Sequence, residues 1–302
     1  MGICNILSID GGGVRGTIPA ELIKRLNEIE PCILRKADVF TGNSAGSFTA
    51  TALAYGYTPE EILNFYTENT WMYIEEENPS PNGPTYLRDH IKEVFTSYFG
   101  NAKLSDLKKK VVIPSFYVGE NGKCWRHMIY NNFNCSKNKN ARIVDALLSS
   151  CALPGMFPSY GRNVDGTVID NDPSILALIE VLNSTCGLSL NDINILAFGT
   201  GVYCKYIEGD TTKFSTHDWF GEADGNPYFD MTLYAGRRQT EKLLRAIFGE
   251  NYLKLDPDLT EDDDLTNPFA IPQLYEDADV FDISNALHFL REKWCNKKRC
   301  YK

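Results

Sequence analysis

The sequence predicts an α/β fold, and two stretches near its start carry that prediction. Asn5 to Ile9 alternates and then turns apolar, ends at Asp10 and a glycine cluster, and gives way after Gly16 to a helical pattern. Val39 and Phe40 open a second apolar strand, which runs into Gly42-Asn43-Ser44-Ala45-Gly46 and then a helix of small residues, Ser47 to Ala54. Strand, glycine loop, helix, strand, sharp turn and helix make the βαβα start of such a fold.

Each later element has its own signal. Ala20, Leu22, Ile23, Leu26 and Ile29 keep helical spacing behind Pro19 and stop near Pro31. Thr58-Pro59-Glu60-Glu61 is a capping box with proline at the first helical position, predicting a helix over Ile62 to about Asn69. Glu75 to Tyr86 is rich in Pro, Asn and Glu and reads as a surface loop. Arg88 to Phe99 puts Ile91, Val94, Phe95, Tyr98 and Phe99 on one side of a helix. Val111 to Val118 is a strand whose Pro114 marks a bulge or an edge, and Gly119-Glu120-Asn121-Gly122 turns it into a second strand near Trp125 to Tyr130. Asn131 to Asn140 is a loop, and helices are expected over Ile143 to Ser150, from Pro173 through Leu182, and over Met231 to Phe248. Asn163 to Ile169 is short and partly apolar, and Ile193 to Phe198 is a strongly β-prone run closed by Gly199-Thr200-Gly201. Asp256 to Asn267 is acidic and looks unstructured, and Ile283 to Trp294 forms a terminal helix. With no internal repeat or linker, one domain over 1–302 is expected.

Composition narrows the function. The 302 residues carry a net charge of −10, the opposite of a nucleic-acid footprint, so no nucleic-acid partner is expected. No run approaches the length of a transmembrane helix, and the N-terminus lacks the basic flank of a signal peptide. The nine cysteines are scattered, odd in number and free of C-x-x-C spacing, so buried thiols in a reducing, cytoplasmic compartment fit better than a disulfide scaffold or zinc site.

Gly42-Asn43-Ser44-Ala45-Gly46 is G-x-S-x-G between a strand and a helix, the setting of a nucleophile elbow. Small neighbours, Gly42, Ala45 and Gly46, let the chain fold back and expose the Ser44 hydroxyl at a helix N-terminus, where the dipole favours a developing anion. Asp10-Gly11-Gly12-Gly13-Val14-Arg15-Gly16 is a second loop between strand and helix, whose N–H groups form an anion cradle. It also satisfies the dinucleotide pattern at Gly11, Gly13 and Gly16. The acidic partner of that pattern, Asp38, would however begin the second strand rather than end it. Gly12 and Gly13 N–H groups facing Ser44 would instead make an oxyanion hole. For a base, His90, His127, His217 and His288 all lie in structural or exposed contexts, and Asp165 in Asn163-Val164-Asp165-Gly166-Thr167 is the better candidate beside an ordinary Asp-Gly turn.

These three motifs together resemble the signatures of the patatin-like phospholipase family. Fainter echoes are Leu104-Ser105-Asp106-Leu107, Ala152-Leu153-Pro154, Asn171-Asp172-Pro173 and Phe198-Gly199-Thr200-Gly201. The resemblance spans about residues 5–255, leaving 256–302 as a C-terminal helical extension. It implies a three-layer α/β/α fold with a mostly parallel central sheet and a Ser–Asp dyad without histidine. Ser44 would be the nucleophile and Asp165 the base; Gly11, Gly12 and Gly13 would supply the oxyanion loop, braced by Arg15, with Gly42 and Gly46 shaping the elbow. It implies a phospholipase A-type acyl hydrolase that needs no metal or other cofactor and touches a membrane surface transiently. Lys108-Lys109-Lys110 and Lys297-Lys298-Arg299 are small basic runs that either meet anionic head groups or form a solvated face. Trp71 to Tyr73 and Phe95 to Phe99 supply either a lid or acyl pocket, or core. Three residues depart from the family pattern: Thr167 where glycine or alanine is usual, Asn43 where a smaller residue is usual, and Asp172 in place of asparagine. Two alternatives stand beside the dyad: an inactive lipid- or protein-binding member, favoured by crowding at Thr167, and a Ser–His–Asp esterase of chain order Ser44, Asp165 and then His217 or His288.

Overall fold

The computed structural model describes residues 2–69, 80, 83–185, 187–221, 226–261 and 265–295. Its centre is a seven-stranded sheet. The elements that build its first half are β1 (Cys4–Ile9), α1 (Thr17–Ile29), α2 (Cys32–Lys36), β2 (Val39–Gly42), α3 (Ala45–Tyr55), α4 (Pro59–Asn64), α5 (Arg88–Phe99) and β3 (Lys110–Tyr117). The second half supplies β4 (Arg126–Asn131), α6 (Ile143–Ser150), β5 (Asn163–Asp165), α7 (Ser174–Ser184), β6 (Ile193–Phe198), α8 (Thr216–Phe220), α9 (Pro227–Phe248) and β7 (Tyr252–Leu255). Two further helices follow, α10 (Ile271–Val280) and α11 (Ser284–Phe289).

The sheet order is β4-β3-β2-β1-β6-β7, with β5 also paired to β3. β3, β2, β1, β6 and β7 are parallel, while β4 and β5 run antiparallel to β3. Period-2 alternation divides the strands between two cores. Leu7, Ile9, Phe40, Val111, Ile113, Leu196 and Phe198 face one layer, and Cys4, Ile6, Val39, Val112, Ile193, Ile195 and Ala197 face the other. α1, α3, α5, α6, α10 and α11 cover the first face, and α7 and α9 cover the second. The fold is therefore three-layer α/β/α on a mostly parallel sheet, as expected.

Local chemistry accounts for the helix ends. Thr58 accepts from the Glu61 N–H while Glu61 reaches back to the Thr58 N–H, completing the capping box that starts α4. Asn226 caps α9 ahead of Pro227. Pro114 lies neither at a bulge nor on an edge strand: β2 pairs with β3 as far as Val112 and β5 takes over at Ser115, so the proline occupies the changeover, where no ladder bond is lost on that side. Phe95 and Phe99 are core, in a buried aromatic cluster with Phe48 and Phe65. Trp71 to Tyr73, most of the Glu75–Tyr86 loop and the 297–299 basic run lie outside the described residues.

One expectation holds in part and a further one is corrected. Asp256–Asn267 has little regular structure, but its described part is anchored: Asp256 pairs with Arg237, Leu259 is buried against Gly201, and the Leu265 carbonyl accepts from Val14 N–H at 2.9 Å. Cys32 and Cys295 form a disulfide across 263 residues, where free thiols were expected. Of the free cysteines described, Cys4 and Cys151 are buried, and Cys124, Cys135 and Cys204 are exposed. The disulfide closes the chain's two ends over a shared core. Beside it Trp294 is fully buried, its indole donating to Ile33 O at 3.0 Å, while Asn5 Nδ2 donates to Trp294 O at 3.1 Å. Replacing Trp294 with alanine removes that packing, and we expect a loss of about 3–5 kcal/mol of unfolding free energy by urea titration with the disulfide kept oxidised.

Candidate active site

The site begins with a turn that has no room for side chains. β2 ends at Gly42, and a Cβ there would strike the Gly46 carbonyl. A Cβ on Gly46 would lie 2.5 Å from Asp10 O and 2.6 Å from Ile9 O, so the first turn of α3 rests directly on the end of β1. Ser44, between them, has φ 49° and ψ −126°, a strained conformation for a non-glycine residue. Its surroundings hold it there: Ser44 N–H donates to Ser150 Oγ at 3.2 Å, and Ser44 O accepts from Ser47 Oγ at 2.6 Å and Ser47 N–H at 2.8 Å. Ser44 is also the N-cap residue just before α3, at the positive end of the helix dipole.

The glycine loop runs alongside. The Cβ that Gly11 lacks would sit 3.2 Å from Ser44 Cβ. Gly11 O accepts from Asn171 Nδ2 at 2.9 Å and Thr200 Oγ1 at 3.0 Å, and Gly11 N–H donates to Asn171 O at 3.3 Å. Gly13 has φ 54° and packs on the Leu265 carbonyl, a conformation and a closeness only glycine tolerates. Arg15 N–H donates to Gly12 O at 3.0 Å and closes the turn. Asp38, the acidic partner a dinucleotide reading requires, accepts from Asn5 N–H at the opposite end of the sheet from this loop.

Asp165 comes from the other side, at the end of β5. Ser115 of β3 is its register partner, and its N–H donates to Ala152 O at 2.9 Å. Its carboxylate is fully buried; Oδ1 accepts from Thr167 N–H at 2.8 Å, and Oδ2 has no hydrogen bond of normal geometry. Burial pushes the carboxyl up to about 6, against the pull of Thr167 and of the nearby Ser44 and Asn43 side chains. Gly166 must be glycine, because a Cβ would strike Asn43 Oδ1 and lie 2.7 Å from Pro114 O. The fold thus brings Ser44, Asp165, the Gly11–Gly13 loop and the elbow glycines Gly42 and Gly46 together. His127, His217 and His288 are exposed on β4, α8 and α11, and the largest influences on Asp165 are its burial and hydrogen bonds from Thr167, Ser44 and Asn43.

The sequence profile of the patatin-like phospholipase family matches residues 7–178, more than half the chain and all three motifs. The chain belongs to the patatin-like phospholipase family. It is 27% identical to the putative sporulation hydrolase CotR of Bacillus subtilis over 97% of this chain and 98% of that one. It is 26% identical to protein teg of Priestia megaterium over 96% and 98%. To the cGAMP-activated phospholipase of Pseudomonas aeruginosa it is 25% identical over 85% and 79%.

Two of its departures from the patatin-like pattern answer one another. Asn43, fully buried, donates from Nδ2 to Thr167 Oγ1 at 2.8 Å, so the larger residue on the elbow satisfies the larger residue after Asp165. The third departure, Asp172, joins a buried ion cluster that sequence reading missed. Lys254 Nζ on β7 lies 2.6 Å from Asp10 Oδ2 and 2.7 Å from Asp172 Oδ2, and Arg237 of α9 pairs with Asp256 nearby. Burial pushes Asp10 up to about 8 despite Lys254, whereas Asp172 overcomes its burial through Lys254 and the Ser174 hydrogen bonds and stays below the usual carboxylate range. The available signal was Tyr252-Leu253-Lys254-Leu255, in which a lysine shares the inward parity of a short strand. Glu30, Cys32 and Cys295 form the group of possible metal ligands found among the described residues, but its two sulfurs are bonded to each other.

The Asn43–Thr167 pair makes a prediction. Asn43→Ala and Thr167→Ala should each destabilise the protein by about 1–2 kcal/mol, and the double variant by about 1 kcal/mol less than their sum, measured as a denaturant double-mutant cycle.

Proposed function

We propose that this patatin-like protein is a serine acyl hydrolase of phospholipids or related acyl lipids, with Ser44 as nucleophile and Asp165 as base. The observation that carries the reading is the placement of the strained Ser44 beside a fully buried carboxylate whose pKa, about 6, leaves it mostly ionised at neutral pH yet able to take a proton. Asp165 accepts the Ser44 hydroxyl proton as Oγ attacks the ester carbonyl, and the Gly12 and Gly13 N–H groups hold the oxyanion. The protonated Asp165 then gives its proton to the departing alcohol. Water, deprotonated by the same carboxylate, cleaves the acyl-Ser44 ester and restores the hydroxyl.

A lipid surface as partner is supported by apolar side chains left in solvent. Val168, three residues beyond Asp165, is 47% exposed, and Phe269, four residues beyond the Leu265 that packs on Gly13, is 86% exposed. Tyr228 and Met231 are exposed along α9. No helix among the described residues is long and apolar enough to cross a membrane. The binding-only alternative drew on crowding at Thr167, which instead is hydrogen-bonded by Asn43. For the working compartment, the five free thiols among the described residues favour a reducing cytoplasm and the Cys32–Cys295 bridge opposes it.

Fatty-acid release from mixed phospholipid vesicles, with EDTA present, tests the scheme. Wild type should release fatty acid, Ser44→Ala should not, and Asp165→Asn should lower kcat by about 10²–10⁴-fold. Undiminished hydrolysis by Asp165→Asn would remove the dyad, and loss on replacing His217 or His288 would favour the triad. Because the base must be ionised, kcat/KM should rise with pH through about 6 and level off above it.

A further inference from the structure

Asn171-Asp172-Pro173 and Phe198-Gly199-Thr200-Gly201 are sequence motifs with no task in the scheme above. In the fold they meet at one atom. Asn171 Nδ2 and Thr200 Oγ1 both donate to the carbonyl oxygen of Gly11, at 2.9 and 3.0 Å, from two different segments of chain. Each donor is itself fixed. Asn171 O receives the Gly11 N–H, and its Oδ1 lies 3.4 Å from both Asn43 Nδ2 and Thr167 Oγ1, directly behind the elbow. Thr200 is buried between Gly199 and Gly201, and Asp256 binds Gly201 N–H at 3.0 Å.

Pinning that carbonyl has a consequence for the next residue. No peptide bond among the described residues is cis, and in a trans peptide the C=O of one residue and the N–H of the next point in opposite directions. Two donors on Gly11 O therefore set the direction of Gly12 N–H, keeping it on the face away from Asn171 and Thr200. Gly12 also packs closely on Thr200, where a Cβ would lie 2.6 Å from Oγ1.

We propose that Thr200 and Asn171 are positioning residues for the oxyanion loop: by holding Gly11 O they aim the Gly12 N–H at the substrate's carbonyl oxygen as it becomes negative. This inference rests on the Ser44–Asp165 reading. A preorganised donor needs no reorientation when charge develops, so its effect falls on the transition state and not on ground-state binding.

Thr200→Val removes the hydroxyl at nearly constant volume, Thr200→Ser keeps it, and Asn171→Asp replaces the amide donor with an acceptor. Each would be compared with wild type and Ser44→Ala for kcat and KM on a soluble acyl ester. Inhibition would be measured with an acyl-chain trifluoromethyl ketone, whose serine adduct carries an oxyanion, and with the matching alcohol, which carries none. Thr200→Val should lower kcat by about ten- to a hundredfold, less than the 10²–10³ typical of deleting a donor outright, with KM within about twofold. Ketone affinity should fall by a similar factor and alcohol affinity should hold. Thr200→Ser should restore kcat, and Asn171→Asp should behave like Thr200→Val, so the question stays decidable if one variant folds poorly. Unchanged kcat, or equal weakening of ketone and alcohol, would overturn the positioning role. Activity surviving in Ser44→Ala would instead overturn the nucleophile beneath it.

Discussion

The structure depends on one steric contact, the crossing of the elbow over the end of β1. Gly42 and Gly46 face each other across the turn, and Gly46 rests on the carbonyls of Ile9 and Asp10, with no space for a methyl group at either position. Because the chain reverses so tightly, Ser44 is held at φ 49° with its side chain against Gly11. Strain of that kind costs of order 1–3 kcal/mol and persists only where the surroundings over-determine it. Here the parallel pairing of β1 with β2, the α3 core and the Ser150 and Ser47 hydrogen bonds all act on the same residue.

A second constraint is electrostatic. Asp10, Asp172 and Lys254 are buried together at the ends of β1 and β7 and the start of α7, with Arg237 and Asp256 alongside. Such a cluster is weak support for net stability, since desolvation offsets much of the attraction, but removing one member strands the others. Its position gives it meaning. Asp10 leads into the glycine loop and Asp172 follows Asn171, so Lys254 joins the two segments that flank Gly11. Arg237, which donates to Gly201 O, joins the segment carrying Thr200. The Gly11–Gly13 loop is thereby supported from below by charge and from the side by neutral hydrogen bonds.

Elements with local signals were legible in the sequence. Arg88–Phe99, Ile143–Ser150 and Ile193–Phe198 stand where their patterns put them, and the capping box at Thr58 forms as written. The three glycine-rich motifs of the site were legible because close backbone contact restricts residue type at fixed spacing. Long-range chemistry was not. The Cys32–Cys295 bridge spans 263 residues, and no spacing rule reaches that far. Lys254 lies in a four-residue strand too short to show alternation clearly. Asn43 and Thr167 each looked like a defect alone, and only their 2.8 Å contact makes them a pair. The acidic Asp256–Asn267 run looked unstructured because its partners, Arg237 and Gly201, are remote in sequence.

The most direct test of the central claim is to look for the covalent intermediate. The protein would be mixed with a rapidly acylating ester, quenched in acid within the first turnovers, digested and read by mass spectrometry. The account predicts one acyl group on the peptide that contains Ser44, absent when Ser44 is alanine. Turnover with no acyl-peptide at any quench time, or the acyl group on a different residue, would contradict it.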